Sequence, residues 1–182
     1  MAKITIIGAG YVGLVTGACF AQKENIVTIV ENNSDKIKSL LAGEVPFYEP
    51  GLDLLIQKAI QTKKIQFISS ISDAMETNPE IIFSCVGTPS LPGGSADLSF
   101  VFNVAKTIGQ HINKYCLVIN KSTVPVGTNK TVQNIVLKEI QKRNLSVDFD
   151  IASNPEFLRE GCAIEDFMYP DRVVVGTETE NA

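Results

Sequence analysis

Two carboxylates and a thiol, Glu156, Glu160 and Cys162, share the stretch SNPEFLREGC (153–162), just past an apolar run. A carboxylate in such a place can act as a base for water or for an alcohol, and a thiolate can attack a carbonyl carbon. If PEFLREG enters a helix, the four-residue spacing predicts that both acids share one face about a turn apart. Acids near a helix start also complement its dipole without doing any chemistry. Cys162 reads as a packed or bystander residue. Glu160 and Glu165 near it would raise a thiol pKa, and no histidine is close in sequence to lower it.

A second constellation is ITIIGAGYVGLVTG, with Gly8, Gly10 and Gly13 directly after the first apolar run and Gly17 a helical turn further on. The first glycine allows a tight turn, the second lets backbone approach a pyrophosphate, and the third lets helix pack on strand. The same spacing also occurs in glycine-rich turns that hold nothing. Its context makes it a dinucleotide fingerprint: it follows a strand, opens a helix and belongs to a βαβ unit whose second strand ends at Glu31. That acid can accept hydrogen bonds from both adenosine ribose hydroxyls and repels a 2′-phosphate, which favours NAD over NADP. Lys36 could neutralise the ribose or phosphate edge, or stand as a solvated lysine on a helix face. VGTPS (86–90) and KSTVPVGT (121–128) place Thr88 and Thr123 at the carboxyl ends of later strands, where open parallel sheets bind ligands. Both segments also suit plain structural turns.

Positioning these residues takes a regular scaffold. Apolar β-type runs recur as ITII (4–7), IVTIV (26–30), IQFI (65–68), IIFSCV (81–86), CLVIN (116–120), FDIA (149–152) and VVV (173–175). They are near-continuous, as expected of strands covered on both faces. Helical patterns lie between most of them, at 11–23, 34–43 (Ser34 as cap, Gly43 as stop), 50–62, 70–76, 99–113 and 129–143. Strand alternating with helix throughout predicts an α/β, doubly wound parallel sheet of Rossmann type, in a single domain.

Composition narrows the function classes. A chain of 182 residues suits one well-buried domain. A net charge of −4 gives no electrostatic reason to expect nucleic acid or an anionic membrane. No apolar stretch reaches the roughly 18 residues of a membrane span, and Met1-Ala2-Lys3 leads into a strand with no cleavage-site pattern. A cytoplasmic protein is expected. The four cysteines lack CxxC spacing and have one histidine to help them, which excludes neither thiol chemistry nor packing but disfavours a zinc site or a disulfide framework. Cys19, Cys85 and Cys116 read as core thiols. The final RVVVGTETENA ends in polar residues where a next element should begin, and so reads as a chain cut from a longer one.

Seven segments occur in order: GAGYVGLVTGACFA, FYEPGL, VGTP, GSADLS, KSTVPVGT, SNPEFLREG and PDRVVVG. Together, over essentially the whole chain, they closely resemble the N-terminal domain of the UDP-glucose/GDP-mannose dehydrogenase family. The resemblance implies a four-electron oxidation of UDP-glucose to UDP-glucuronate that consumes two NAD⁺, by way of an enzyme-held aldehyde and a thioester. It implies that Gly8, Gly10, Tyr11, Val12 and Gly13 hold the pyrophosphate and that Glu31 and Lys36 take the adenosine side. Thr88 and Thr123 would line the nicotinamide half, with Thr123 also placing the catalytic water. Glu156 would be the acid/base for thioester hydrolysis and Glu160 a cofactor contact. Glu156, Phe157, Leu158, Arg159 and Glu160 would form part of the sugar-nucleotide cradle. The family's nucleophilic thiol and oxyanion stabilisers lie downstream, in central helical and C-terminal UDP-binding domains that residues 1–182 do not include. Cys162 stands where relatives commonly carry a small hydroxyl residue, and Glu31 replaces a more usual aspartate with the same charge. The full-length protein is expected to be a homo-oligomer. Two alternatives remain open: a GDP-mannose or UDP-N-acetylhexosamine dehydrogenase of the same family, and a non-catalytic NAD-sensing Rossmann module.

Overall fold

Runs of isoleucine and valine stiff at χ1 favour extended backbone, and six of them pair side by side as parallel strands. The computed structural model describes residues 1–179. In chain order the elements are β1 (Lys3–Ile7), α1 (Tyr11–Gln22), β2 (Ile26–Val30), α2 (Ser34–Leu41), α3 (Leu52–Gln61), β3 (Ile65–Ile68) and α4 (Ile71–Glu76). They continue with β4 (Ile81–Ser84), α5 (Ser99–His111), β5 (Cys116–Asn120), α6 (Thr128–Lys142), β6 (Phe149–Ser153), α7 (Ala163–Met168) and β7 (Gly176–Thr177). The strand order is β3-β2-β1-β4-β5-β6-β7. The order therefore reverses between β1 and β4, and that is where an open α/β sheet leaves a crevice at its carboxyl edge.

The sheet has a core on each face. One is built from Ile6, Leu14, Ile29, Leu52 and Ile56, under α1 and α3. The other joins Ile82, Val104, Ile108, Val118, Val136 and Ile140, under α5 and α6. Each fully buried aliphatic side chain contributes about 1.5–3 kcal/mol, so these layers hold the strand ends, and whatever they carry, in fixed register. Among the described residues no helix is long and apolar enough to cross a membrane.

The structure corrects the expectation at three places. Val173–Val175 form no strand and stay exposed or nearly so. The seventh strand is Gly176–Thr177, and it pairs antiparallel with Ala152 and Ser153 of β6. A β-branched run supplies propensity but no partner; here Asn154 pins the segment by donating to Val174 O at 2.9 Å, and the chain then turns back along the sheet edge. The α2 cap is Asn33, whose side chain accepts from the amides of Asp35 and Lys36, and Ser34 is already helical. Gly43, left-handed at φ 84°, does end that helix, with Glu44 N donating to Ser39 O at 2.8 Å.

The third correction concerns PEFLREG. Residues 154–159 carry no helix, and α7 begins only at Ala163, after Gly161 turns left-handed at φ 86°. Glu156 therefore shares no helix face with Glu160. Its carboxylate instead takes the amide of Leu158 at 2.7 Å, a local bond that competes with a helical ladder.

Candidate active site

The glycine turn has the shape its spacing predicts. A Cβ on Gly13 would stand 1.9 Å from Gly8 O, so α1 rests directly on the turn. Gly8, at φ 104°, brings its Cα to within contact of the β4 end, where a Cβ would meet Cys85 O at 2.7 Å. Around Gly10, by contrast, nothing lies within 4 Å of such a Cβ. Gly10 is the N-cap of α1, with no side chain capping the helix and no acid in its first turn. The amides of the first turn thus face open space at the positive end of the helix dipole, an anion seat with no side chain in the way.

Glu31 directly follows β2, at the same edge of the sheet. Its carboxylate accepts the amide of Asn33 at 3.0 Å and pairs with Lys36 Nζ at 2.9 Å. Burial opposes its ionisation, but the Lys36 bond and the backbone bonds of Asn33 and Asn32 outweigh it and hold the carboxyl below its ordinary range. Lys36 is thereby neither free in solvent nor apart from the acid. An ionised acceptor beside an open anion seat is what an adenosine ribose and a pyrophosphate require, and the residues present fit a dinucleotide.

The ends of β4, β5 and β6 are stitched into one rim. Ser122 Oγ donates to Val86 O at 2.6 Å, and Thr88 Oγ1 donates to Thr123 O at 3.2 Å, which ties the β4 loop to the β5 loop. Lys121 Nζ donates to Asn154 Oδ1 at 3.1 Å, which ties β5 to β6. Thr123 is exposed and Thr88 half-buried.

Beside the rim opens a cavity of about 680 Å³, whose lining includes Lys121, Asn154, Glu156, Phe157, Arg159 and Arg172. It takes in Glu156–Arg159 but neither threonine. Arg172 stacks over the Phe157 ring at 4.8 Å, so the late PDR segment covers the loop. Arg159 pairs with Asp166 at 2.6 Å. Glu160 and Cys162 are exposed, and the three other thiols are pushed up to about 12 by burial.

Two residues with no role in the sequence reading stand out. Lys121 is 5 % exposed. Burial draws its pKa below the usual lysine value, against the charges of Cys85 and Glu156. Since the Cys85 thiol stays protonated near neutrality, Glu156 is the anion that favours the ammonium. The other is Glu49, within the quoted FYEPGL, which is buried and accepts bonds from Tyr11, Gly161 and Ile164. A lysine following an apolar strand, and an acid set between aromatic residues and a proline, are weak signals that only their distant partners make specific.

An open helix terminus at the sheet's reversal point, an acid at the end of β2 and a polar cavity at the carboxyl edge define a dinucleotide-binding domain. The chain belongs to the UDP-glucose/GDP-mannose dehydrogenase family, whose NAD-binding domain it matches over residues 2–182. It is 48% identical over 182 residues to UDP-glucose 6-dehydrogenase TuaD of Bacillus subtilis, covering 100% of this chain and 39% of that protein. It is 43% identical to UDP-glucose 6-dehydrogenase of Pseudomonas aeruginosa, over 99% of this chain and 40% of the relative. The solved UDP-glucose dehydrogenase of Pyrobaculum islandicum superposes with a TM-score of 0.92 at 39% identity, covering 100% of this chain and 42% of the other. A GDP-mannose dehydrogenase structure from Pseudomonas aeruginosa gives a TM-score of 0.86 at 34% identity, over 98% and 41% of the two chains. The chain thus spans about two fifths of the length of the curated relatives it matches.

Proposed function

We propose that this chain is the NAD-binding part of a UDP-glucose 6-dehydrogenase, which oxidises UDP-glucose to UDP-glucuronate with two NAD⁺. The observation that carries the reading is the bare N-terminus of α1 at Gly10, with the paired Glu31 beside it at the same sheet edge. The choice of sugar rests on likeness: relatives named for UDP-glucose reach 48% identity, against 34% for the GDP-mannose enzyme.

In this reading Gly8, Gly10, Tyr11, Val12 and Gly13 seat the pyrophosphate, and Glu31 accepts the ribose hydroxyls. Thr88 and Thr123 border the nicotinamide half, which when bound accepts the hydride. Glu156 holds a water for attack and takes its proton, while Glu160 contacts the cofactor. Glu156–Glu160 and the cavity beside them cradle the sugar nucleotide. The attacking thiol belongs to the longer part of the protein, as does the contact that makes it a homo-oligomer; the reading carries a cytoplasmic location with it. A module that only senses NAD would need none of the Thr123, Glu156 and Glu160 set.

The test is the full-length protein assayed with UDP-glucose, GDP-mannose and a UDP-N-acetylhexosamine. NADH should form at two per sugar from UDP-glucose, and tenfold or more slowly from the others. Faster oxidation of another sugar would reassign the substrate, and no oxidation of any would favour the sensor.

Cofactor choice supplies a separate prediction. Glu31→Gln removes the charged acceptor and releases Lys36, whose ammonium sits 2.9 Å from it. Hydrogen bonds to charged groups contribute about 1.5–3 kcal/mol. The variant should therefore bind NAD⁺ about tenfold more weakly or worse and NADP⁺ more tightly than the parent, read by calorimetry with both cofactors. Unchanged preference would remove Glu31 from the ribose.

A further inference from the structure

The FYEPGL segment leads into α3 and supplies no residue to the lining of the large cavity, yet its acid is 6 % exposed. Buried carboxylates without partners are costly, and this one is surrounded by donors rather than by a cation. Glu49 Oε2 accepts from Tyr11 OH at 2.5 Å and from Gly161 N at 2.9 Å, and Oε1 accepts from Ile164 N at 3.3 Å. Tyr11 is the first residue of α1; Gly161 ends the SNPEFLREG loop; Ile164 lies in the first turn of α7. Tyr11 OH also has Arg159 O as a longer second acceptor at 3.1 Å. The Tyr11 ring packs on Phe47 with centroids 4.9 Å apart, so the same segment grips both ends of that side chain.

We propose that Glu49 is a positioning residue: it latches the loop carrying Glu156, Arg159 and Glu160 to the first turn of the cofactor helix, and so fixes the base relative to the dinucleotide. The loop needs such a fastening. It has no helix and no strand between Asn154 and Arg159: Lys121 and Val174 hold its start at Asn154, Asp166 holds Arg159 from within the next helix, and the bond from Leu158 to Glu156 is local, so none of these ties the loop to α1. Burial and the bond to Glu49 both raise the Tyr11 pKa, so the phenol stays a donor across the working pH range. No other residue in the described structure bonds all three segments.

Glutamine in place of Glu49 keeps the size but not the valence. If its oxygen serves Tyr11 and Gly161, its NH₂ confronts Ile164 N–H; the reverse orientation sets NH₂ against Gly161 N–H and turns the Tyr11 hydroxyl to Arg159 O, so either way an amide loses its acceptor. Displacing a catalytic group by about 1 Å costs on the order of 100-fold in rate. The activity arm of the test rests on the function proposed above; the exchange arm does not.

In the full-length protein, Glu49→Gln should lower kcat for UDP-glucose about 100-fold while the NAD⁺ Kd moves by less than about threefold. Backbone hydrogen exchange should quicken at residues 158–164 and stay unchanged in β1, β4 and β5. Tyr11→Phe, which keeps the carboxylate–amide bonds, should cost about tenfold, and the double variant should be no slower than Glu49→Gln alone within about twofold, because both cut one link. Turnover within twofold of the parent would overturn the latch. So would losses of turnover and NAD⁺ binding that merely track the fraction folded, or unaltered exchange at 158–164. A parent protein that oxidises no nucleotide sugar would sink the proposed activity alone, and the exchange data would still judge Glu49.

Discussion

Gly13→Ala should destabilise the protein by about 3 kcal/mol or more, at the upper end of what overpacking costs, and abolish NAD⁺ binding at millimolar concentration. The added methyl would lie 1.9 Å from Gly8 O and 3.1 Å from Gly8 C, both backbone atoms of the phosphate turn, with Ile6 at 3.3 Å behind them. A flexible side chain could swing aside, but a turn pinned by the bond from Gly8 N to Val30 O at 3.0 Å cannot. Helix α1 must lift from β1, and the core around Leu14, Val15 and Ala18 lifts with it. For a domain of this size about 3 kcal/mol corresponds to roughly 10 °C in melting temperature. Gly10→Ala is the control that separates fold from ligand. Its methyl meets nothing within 4 Å, and its φ of −72° is ordinary, so the melting temperature should fall by no more than a few degrees. The same methyl occupies the space in front of the first-turn amides, and NAD⁺ affinity should drop about tenfold or more. Thermal melts and calorimetry on both variants decide the matter. If Gly10→Ala binds NAD⁺ like the parent, the pyrophosphate does not sit there.

The contrast between these glycines shows which parts of the molecule could be read in advance. Gly8, Gly10 and Gly13 fall in one short stretch whose spacing announces all three, although their reasons differ: Gly8 for its positive φ, Gly13 for its closeness to Gly8 O, and Gly10 for the open space before the helix. The six parallel strands were equally legible, because a strand buried on both faces writes itself as a continuous apolar run. Val173–Val175 satisfy that same criterion and are not a strand, since pairing is decided by Asn154, twenty residues earlier. The reading of Glu156 and Glu160 as neighbours on a helix failed for a related reason: a single local bond to Leu158 and a left-handed Gly161 outweigh a periodicity only four residues long. Glu49 and Lys121 were silent because their meaning lies in partners 112 and 33 positions away. Composition can report that an acid is present, but only the fold reports that it is buried among three donors.

Glu156→Gln should slow turnover of UDP-glucose by about 100- to 10,000-fold, the range that general acid–base groups contribute. The substitution is informative because it separates the proton from the geometry. The glutamine oxygen can still accept the Leu158 amide now bonded at 2.7 Å, so the loop keeps its turn and the stacking of Phe157 under Arg172 persists. What is lost is the lone pair able to take a proton from water, together with the charge that favours the Lys121 ammonium in the cavity. NAD⁺ binding, whose proposed seat is the α1 terminus and Glu31, should change by less than about twofold. If Glu156 serves thioester hydrolysis, the first sugar equivalent still reacts and the acylated enzyme accumulates, visible by mass spectrometry of the acid-quenched full-length protein as a sugar-nucleotide adduct. Glu156→Ala removes the Leu158 bond as well and should be slower still, with a raised KM from the loosened loop. The assignment to chemistry fails if Glu156→Gln loses NAD⁺ affinity and turnover in equal measure, because a group that only maintains the fold of the domain would depress both.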